Sequence, residues 1–273
     1  MLQSGQGLAA AGFRDRRTAA AMERVIPTKI VIASGYKEMS SLAASFVAGL
    51  VQEKPDLVMA IPSGRTPVGM YRQLGGMYRK GGLDLSRATF FLLDEYHGLG
   101  PRDKGSFYHF IRQNFMRLVN VPAVHVPDSR FPDAVEAGRR YEEEIASAGG
   151  LDLAVLGIGV NGHIGFNEPG QPFDSRTGPV NLTPETISAN ARYFKTPAQV
   201  PREAISMGLA TIRQARSVLL LASGAPKAEA VAAALAGPVT TTVPASTLQR
   251  HPAFTAIVDS GAASLLSGFP QKG

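Results

Sequence analysis

Residues 151–170 read LDLAVLGIGVNGHIGFNEPG, an apolar run that passes directly into a glycine-rich loop. The run Leu151–Leu156 does not alternate apolar with polar positions. Ala154, Val155 and Leu156 are continuous, as expected of a strand buried on both faces of a parallel sheet. Five further runs read as strands: Lys29–Ala33, Asp56–Ile61, Thr89–Leu93, Ser217–Ala222 and Phe254–Val258. Amphipathic segments fill the gaps. Phe107, Phe110, Ile111, Phe115 and Leu118 share one helical stripe, and Pro132 opens another helix carrying Val135, Tyr141 and Ile145. This alternation predicts an α/β fold: a single three-layer domain with a mostly parallel central sheet flanked by helices, Rossmann-like in plan. The segment from Asn167 to Gln199, punctuated by Pro169, Gly170, Pro172, Gly178, Pro179, Pro184 and Pro197, is expected to be a mobile lid.

The composition supports one folded unit. The chain has 273 residues, 44% hydrophobic and 18% charged, and no linker divides it. Residues 1–27 read as a loose N-terminal extension to a domain over 28–273. The absence of cysteine excludes disulfide scaffolds, Cys-ligated zinc and thiol catalysis. The formal charge is +6, but the basic residues are scattered, so no nucleic-acid partner is expected. No apolar stretch reaches the length of a membrane span. A cytoplasmic location is expected.

In open parallel sheets ligands bind beyond the carboxyl ends of the strands. After Asp56–Ile61 comes Ser63-Gly64-Arg65-Thr66-Pro67, with Thr66 as a candidate N-cap and Pro67 at the first helical position. Free N–H groups of a helix start, with Arg65 and the hydroxyls of Ser63 and Thr66, suit a phosphate; an ordinary β-to-α turn has the same composition. Thr89–Leu93 runs into the adjacent carboxylates Asp94 and Glu95, where desolvation favours a base near neutral pH. The formal GxGxxG at Gly157, Gly159 and Gly162 invites a dinucleotide reading, but Gly165, Pro169 and Gly170 deny it the long helix it requires. The loop presents His163 and Glu168 instead. No second histidine stands at ligand spacing, so no metal site is expected. Arg192, and Lys227 in the first turn of a helix after a strand, are two further candidate cations.

Taken together, the stretches IPSGRTP (61–67), LDEY (93–96), GHIGFNEPG (162–170), SRT (175–177) and NARYF (190–194) closely resemble the glucosamine-6-phosphate deaminases, in order, over residues 29–266. The related 6-phosphogluconolactonases diverge after the histidine and after the Asp-Glu pair. The resemblance implies conversion of glucosamine 6-phosphate and water to fructose 6-phosphate and ammonia, without a cofactor. It implies that Asp94 carries a proton between C2 and C1, that His163 assists ring opening, and that Glu168 completes the His163 relay. Ser63, Gly64, Arg65, Thr66, Arg192 and Lys227 match the phosphate-binding region. Many members carry Asp where this chain has Asn161, expected to orient His163, so a shifted pH profile is expected. Gly178-Pro179-Val180-Asn181 replaces the basic residues of allosteric hexamers, which implies a monomer or small homo-oligomer. Other readings are a galactosamine 6-phosphate enzyme, a sugar-phosphate lactonase and a non-catalytic sensor.

Overall fold

The computed structural model describes residues 29–266 apart from 192, 193 and 195. The expected extension over 1–27 therefore lies outside the described residues. The first half of the chain runs β1 (Lys29–Ala33), α1 (Tyr36–Glu53), β2 (Val58–Ile61), α2 (Val68–Arg79), β3 (Thr89–Leu92), β4 (Asp94–Tyr96), α3 (Phe107–Ile111) and β5 (Val124–His125). The second half runs α4 (Ala134–Ser147), β6 (Leu153–Gly157), β7 (Gly178–Asn181), α5 (Pro184–Asn190), β8 (Glu203–Ser206), α6 (Leu209–Arg213), β9 (Ser217–Ala222), α7 (Ala228–Ala236) and β10 (Phe254–Asp259).

Seven strands form one sheet in the order β1-β10-β9-β6-β2-β3-β5, with every neighbouring pair parallel. The three-layer expectation is met by side-chain parity. Met59, Ile61, Phe90, Leu92, Val155 and Leu219 enter one core with Val47 of α1, Leu74 of α2 and Phe115. Their neighbours Ala60, Phe91, Ala154, Leu156 and Leu220 enter the opposite core with Tyr141 of α4 and Val231 of α7. Period-two geometry requires apolar residues at every position when both faces are covered, hence the unbroken runs. From β2 the chain winds outward through β3 to β5, whereas β6 starts a winding in the opposite sense through β9 to β10, which ends beside β1. The crevice between β2 and β6 is therefore the switch point, and the loops after these two strands flank it.

Several expectations need correction. The stripe from Phe107 does not continue as one α-helix: α3 ends at Ile111 and Arg112–Met116 form a π turn, whose wider spacing still buries Phe115 against Tyr71 at 4.7 Å between ring centroids. The helix placed at Pro132 begins at Ala134, because Asp133 is its N-cap and accepts from the N–H groups of Val135 (3.0 Å) and Glu136 (3.1 Å). Thr66 does not cap α2: the N-cap is Pro67, whose own side chain makes no capping bond.

The largest omission from the sequence reading is a second, antiparallel sheet in the order β4-β8-β7. The Pro- and Gly-rich stretch expected to be a mobile lid contains β7 and α5. Pro179 is accommodated because β7 is an edge strand, and Thr183 caps α5 by accepting from Thr186 N at 3.2 Å. None of the helices of the described residues is long and apolar enough to cross a membrane.

Candidate active site

A cavity of 720 Å³ opens at the switch point, lined by Ser63–Thr66, Asp94, Asn161, His163 and Lys227 among others. The β2 loop supplies one wall. Gly64 adopts φ +90°, and Tyr36 Oη pins the turn by donating to Arg65 O (3.1 Å) and accepting from Gly69 N (2.8 Å). Val68 N donates to Arg65 O at 3.3 Å. Two N–H groups of the α2 start are thus already satisfied, contrary to the expectation that they stand free. Among the described residues the N–H groups of Gly64, Arg65 and Thr66 have no protein partner, so the loop itself offers the anion donors.

Lys227 ends a 3-10 turn (Ala225–Lys227) and occupies the N-cap position of α7, one step earlier than expected. Its loop is held by Asp259, which accepts from Ser223 Oγ and, at 2.9 Å, from Gly224 N. Burial pushes the Lys227 ammonium below its ordinary pKa. Among the described residues no carboxylate pairs with it. A desolvated cation facing a cavity without a counter-ion is the arrangement an anionic ligand completes. Arg192 lies outside the described residues.

Asp94 does not sit in a loop after a strand. It begins β4, opposite Ser206 of β8, and the chain turns from the parallel sheet into the antiparallel one at Leu93. Successive strand residues point to opposite sides, which separates the two carboxylates that are adjacent in sequence. Asp94 faces the cavity. Burial, reinforced by the neighbouring Glu95, raises it to about 7. Glu95 turns away and accepts from Tyr96 N (2.9 Å), Phe107 N (3.0 Å) and Tyr108 N (2.9 Å). Burial raises Glu95 as well, against the pull of these three donors, which favour its charged form. Asp94 is the carboxyl left to exchange a proton with a ligand.

The loop after β6 is no helix, as expected. Gly162 (φ +85°) and Gly165 (φ +57°) turn it sharply, and a Cβ at Gly165 would lie 3.7 Å from Asp94 Oδ2. His163 lines the cavity with its Nδ1 3.4 Å from Glu168 Oε2, within ion-pair range but too long for a well-formed hydrogen bond. Asn161 differs from expectation. Its Oδ1 accepts from the backbone N of His163 (3.2 Å) and its Nδ2 donates to Glu168 Oε2 (2.8 Å), so it steadies the carboxylate and the loop rather than the imidazole. Burial works to raise Glu168, but His163, Thr186 and Asn161 together hold it at about 2.

The sequence reading missed four supports of the site: Tyr36, Asp259, Thr186, and the segment Lys104–Phe107, which forms the far wall. Asp133 and Thr183 carry recognisable capping signals. These four do not, because their partners are distant in sequence.

The sequence model of the family described as glucosamine-6-phosphate isomerases/6-phosphogluconolactonase matches residues 36–256. A glucosamine-6-phosphate deaminase of Halothermothrix orenii is 49% identical over 240 residues, covering 87% of this chain and 100% of the relative. One of Thermoanaerobacter pseudethanolicus is 47% identical over 240 residues, covering 87% and 95% respectively. The solved structure of a monomeric glucosamine-6-phosphate deaminase is 40% identical, with a TM-score of 0.84 over 87% of this chain and 99% of that one. A 6-phosphogluconolactonase from Trypanosoma cruzi is 21% identical with a TM-score of 0.69, a likeness of fold alone. With its residues matched from α1 into β10, the chain belongs to the glucosamine-6-phosphate isomerase/6-phosphogluconolactonase family.

Proposed function

We propose that this chain is a glucosamine-6-phosphate deaminase, converting glucosamine 6-phosphate and water to fructose 6-phosphate and ammonia. The observation that carries the reading is one cavity holding a buried carboxyl raised to about 7, a histidine facing a carboxylate, and a desolvated lysine beside free N–H groups. Lys227 and the Ser63–Thr66 loop hold the phosphate, joined by Arg192. Asp94 takes the proton from C2 and returns it to C1 as the aldose becomes a ketose. A carboxyl titrating near neutrality suits this transfer because it accepts and releases the proton with comparable ease. His163, backed by Glu168 and with Asn161 steadying Glu168, moves the proton that ring opening requires. No organic cofactor and no metal enters this scheme.

The partner is a small amino-sugar phosphate. The likeness to a monomeric deaminase supports a monomer or small homo-oligomer, and a cytoplasmic enzyme of amino-sugar breakdown fits the reaction. The segment from Asn167 to Gln199 acts as a lid, a reading supported by Thr186 and Asn190 lining the cavity.

The test is ammonia release from glucosamine 6-phosphate, coupled to detection of fructose 6-phosphate, with Asp94→Asn as control. Turnover that vanishes in the variant is expected. Hydrolysis of a sugar-phosphate lactone that survives Asp94→Asn would overturn the reading, since a lactonase needs no C1–C2 proton carrier.

A further inference from the structure

Thr186 belongs to α5, on the far side of the β7 strand from the catalytic loop in sequence, yet its hydroxyl is buried against Glu168. Thr186 Oγ1 donates to Glu168 Oε1 at 2.5 Å, and the residue is 7% exposed. The ionised carboxylate can only accept, so the hydroxyl is the donor, and its neighbour supports that direction. Thr183 Oγ1 accepts from Thr186 N (3.2 Å) and donates to Thr186 Oγ1 (3.2 Å), so the Thr186 proton is left to point at the carboxylate. A relay of donors in which each hydroxyl accepts one bond and gives the next is self-reinforcing.

The two oxygens of Glu168 are therefore held from different elements. Oε2 receives Asn161 Nδ2 at 2.8 Å and faces His163 Nδ1 at 3.4 Å; Oε1 receives Thr186. Among the described residues His163 is the titratable group in contact with Glu168. Remove the Thr186 donor and Oε1 has nothing to hold it, which frees the carboxylate to rotate and draw Oε2 away from the imidazole. At its other end α5 places Asn190 on the cavity wall. The helix α5 thus both touches the cavity and orients the carboxylate.

We infer that Thr186 is a positioning residue: it fixes Glu168 against His163, so that catalysis depends on α5 being seated on the site. The inference rests on the deaminase reading for its kinetic arm. It is distinct from helix capping, the role that Thr183 alone would explain.

The experiment compares wild type, Thr186→Val, Thr186→Ser and Glu168→Gln. Thr186→Val, which keeps the shape and removes the donor, is expected to lower kcat by about ten- to hundredfold, the loss of one hydrogen bond to a charged group, with KM within about twofold. Thr186→Ser is expected to restore most of it. Combined with Glu168→Gln, Thr186→Val is expected to add little, since its target is gone. Independently of turnover, the Glu168 side-chain carboxyl carbon, followed by 13C NMR, is expected to titrate at higher pH in Thr186→Val and to return toward wild type in Thr186→Ser. Absence of turnover in wild type would defeat the deaminase reading and leave the NMR comparison to decide on Thr186. An unchanged carboxyl titration, or effects of Thr186→Val and Glu168→Gln that simply multiply, would overturn the inference.

Discussion

The imidazole of His163 packs against the bare Cα of Gly159: a methyl group built there would lie 2.4 Å from both Cε1 and Nδ1 of the ring. Gly159 is also joined to the histidine through the backbone, donating its N–H to His163 O at 2.8 Å. Gly159 thus makes room for a side chain of its own loop, a different use from the approach of a dinucleotide pyrophosphate.

Gly159→Ala should therefore displace His163 while leaving the sheet intact, because the φ of Gly159 lies outside the left-handed region. Overpacking of this kind costs about 1–3 kcal/mol. A fall in kcat of tenfold or more with a melting temperature lowered only by the corresponding few degrees is expected. Wild-type turnover in the variant would show that the ring does not work from this position.

The raised Asp94 carboxyl makes a two-part prediction about pH. The group binds its proton up to about 7 in the folded chain but only to 3.8 when unfolded, so the folded state holds more protons across this window and stability falls as pH rises through it. At about 1.4 kcal/mol per unit the effect is at most roughly 4 kcal/mol. Denaturant melts should show Asp94→Asn more stable than wild type at pH 8 and nearly level with it at pH 4. The rate of the wild type, kcat/KM, should rise with pH to a plateau above about 7 as the carboxylate forms.

Glu95→Gln separates that base from its neighbour. An amide oxygen cannot replace both carboxylate oxygens, so at least one of the three N–H donors from Tyr96, Phe107 and Tyr108 loses its acceptor, at about 1–3 kcal/mol. Loss of the charge beside Asp94 should also move the acidic limb of the rate profile to lower pH. Chemical denaturation and the pH profile check the two effects separately.

Lys227→Met removes a half-buried ammonium that has no carboxylate partner among the described residues. The free protein is expected to be as stable as wild type or more so, while KM for the sugar phosphate rises by ten- to a hundredfold, in line with loss of about 1.5–3 kcal/mol of charge-assisted bonding. Thermal melts with and without inorganic phosphate provide the check: phosphate should stabilise wild type and leave the variant unmoved.

Asn161→Asp would bring a second carboxylate to the oxygen of Glu168 that Asn161 now serves as donor, at 2.8 Å. Repulsion between like charges should raise Glu168 from about 2. A carboxyl titration that stays in place would show that the pair separates in solution.

The apolar strands, the glycine loop and the chemistry-bearing residues were readable from the chain itself, because burial on both faces of a sheet demands unbroken apolar runs and sharp turns demand glycine. Lys29–Ala33 and Ser217–Ala222 match their observed bounds, and Asp94, His163 and the Ser63–Thr66 loop do share one cavity. Tertiary structure alone decided what depends on residues far apart in sequence. The small sheet β4-β8-β7 carries polar and turn-forming residues that have no strand pattern of their own, and it exists because β8 supplies hydrogen bonds to both neighbours. The same holds for side-chain direction and protonation: Asp94 and Glu95 are equivalent on paper, and become a cavity-facing acid and a backbone tether only when β4 sends them to opposite sides. Asn161 and Thr186, 25 positions apart, meet on the two oxygens of Glu168 because a folded chain satisfies a buried charge from whichever element lies nearest in space.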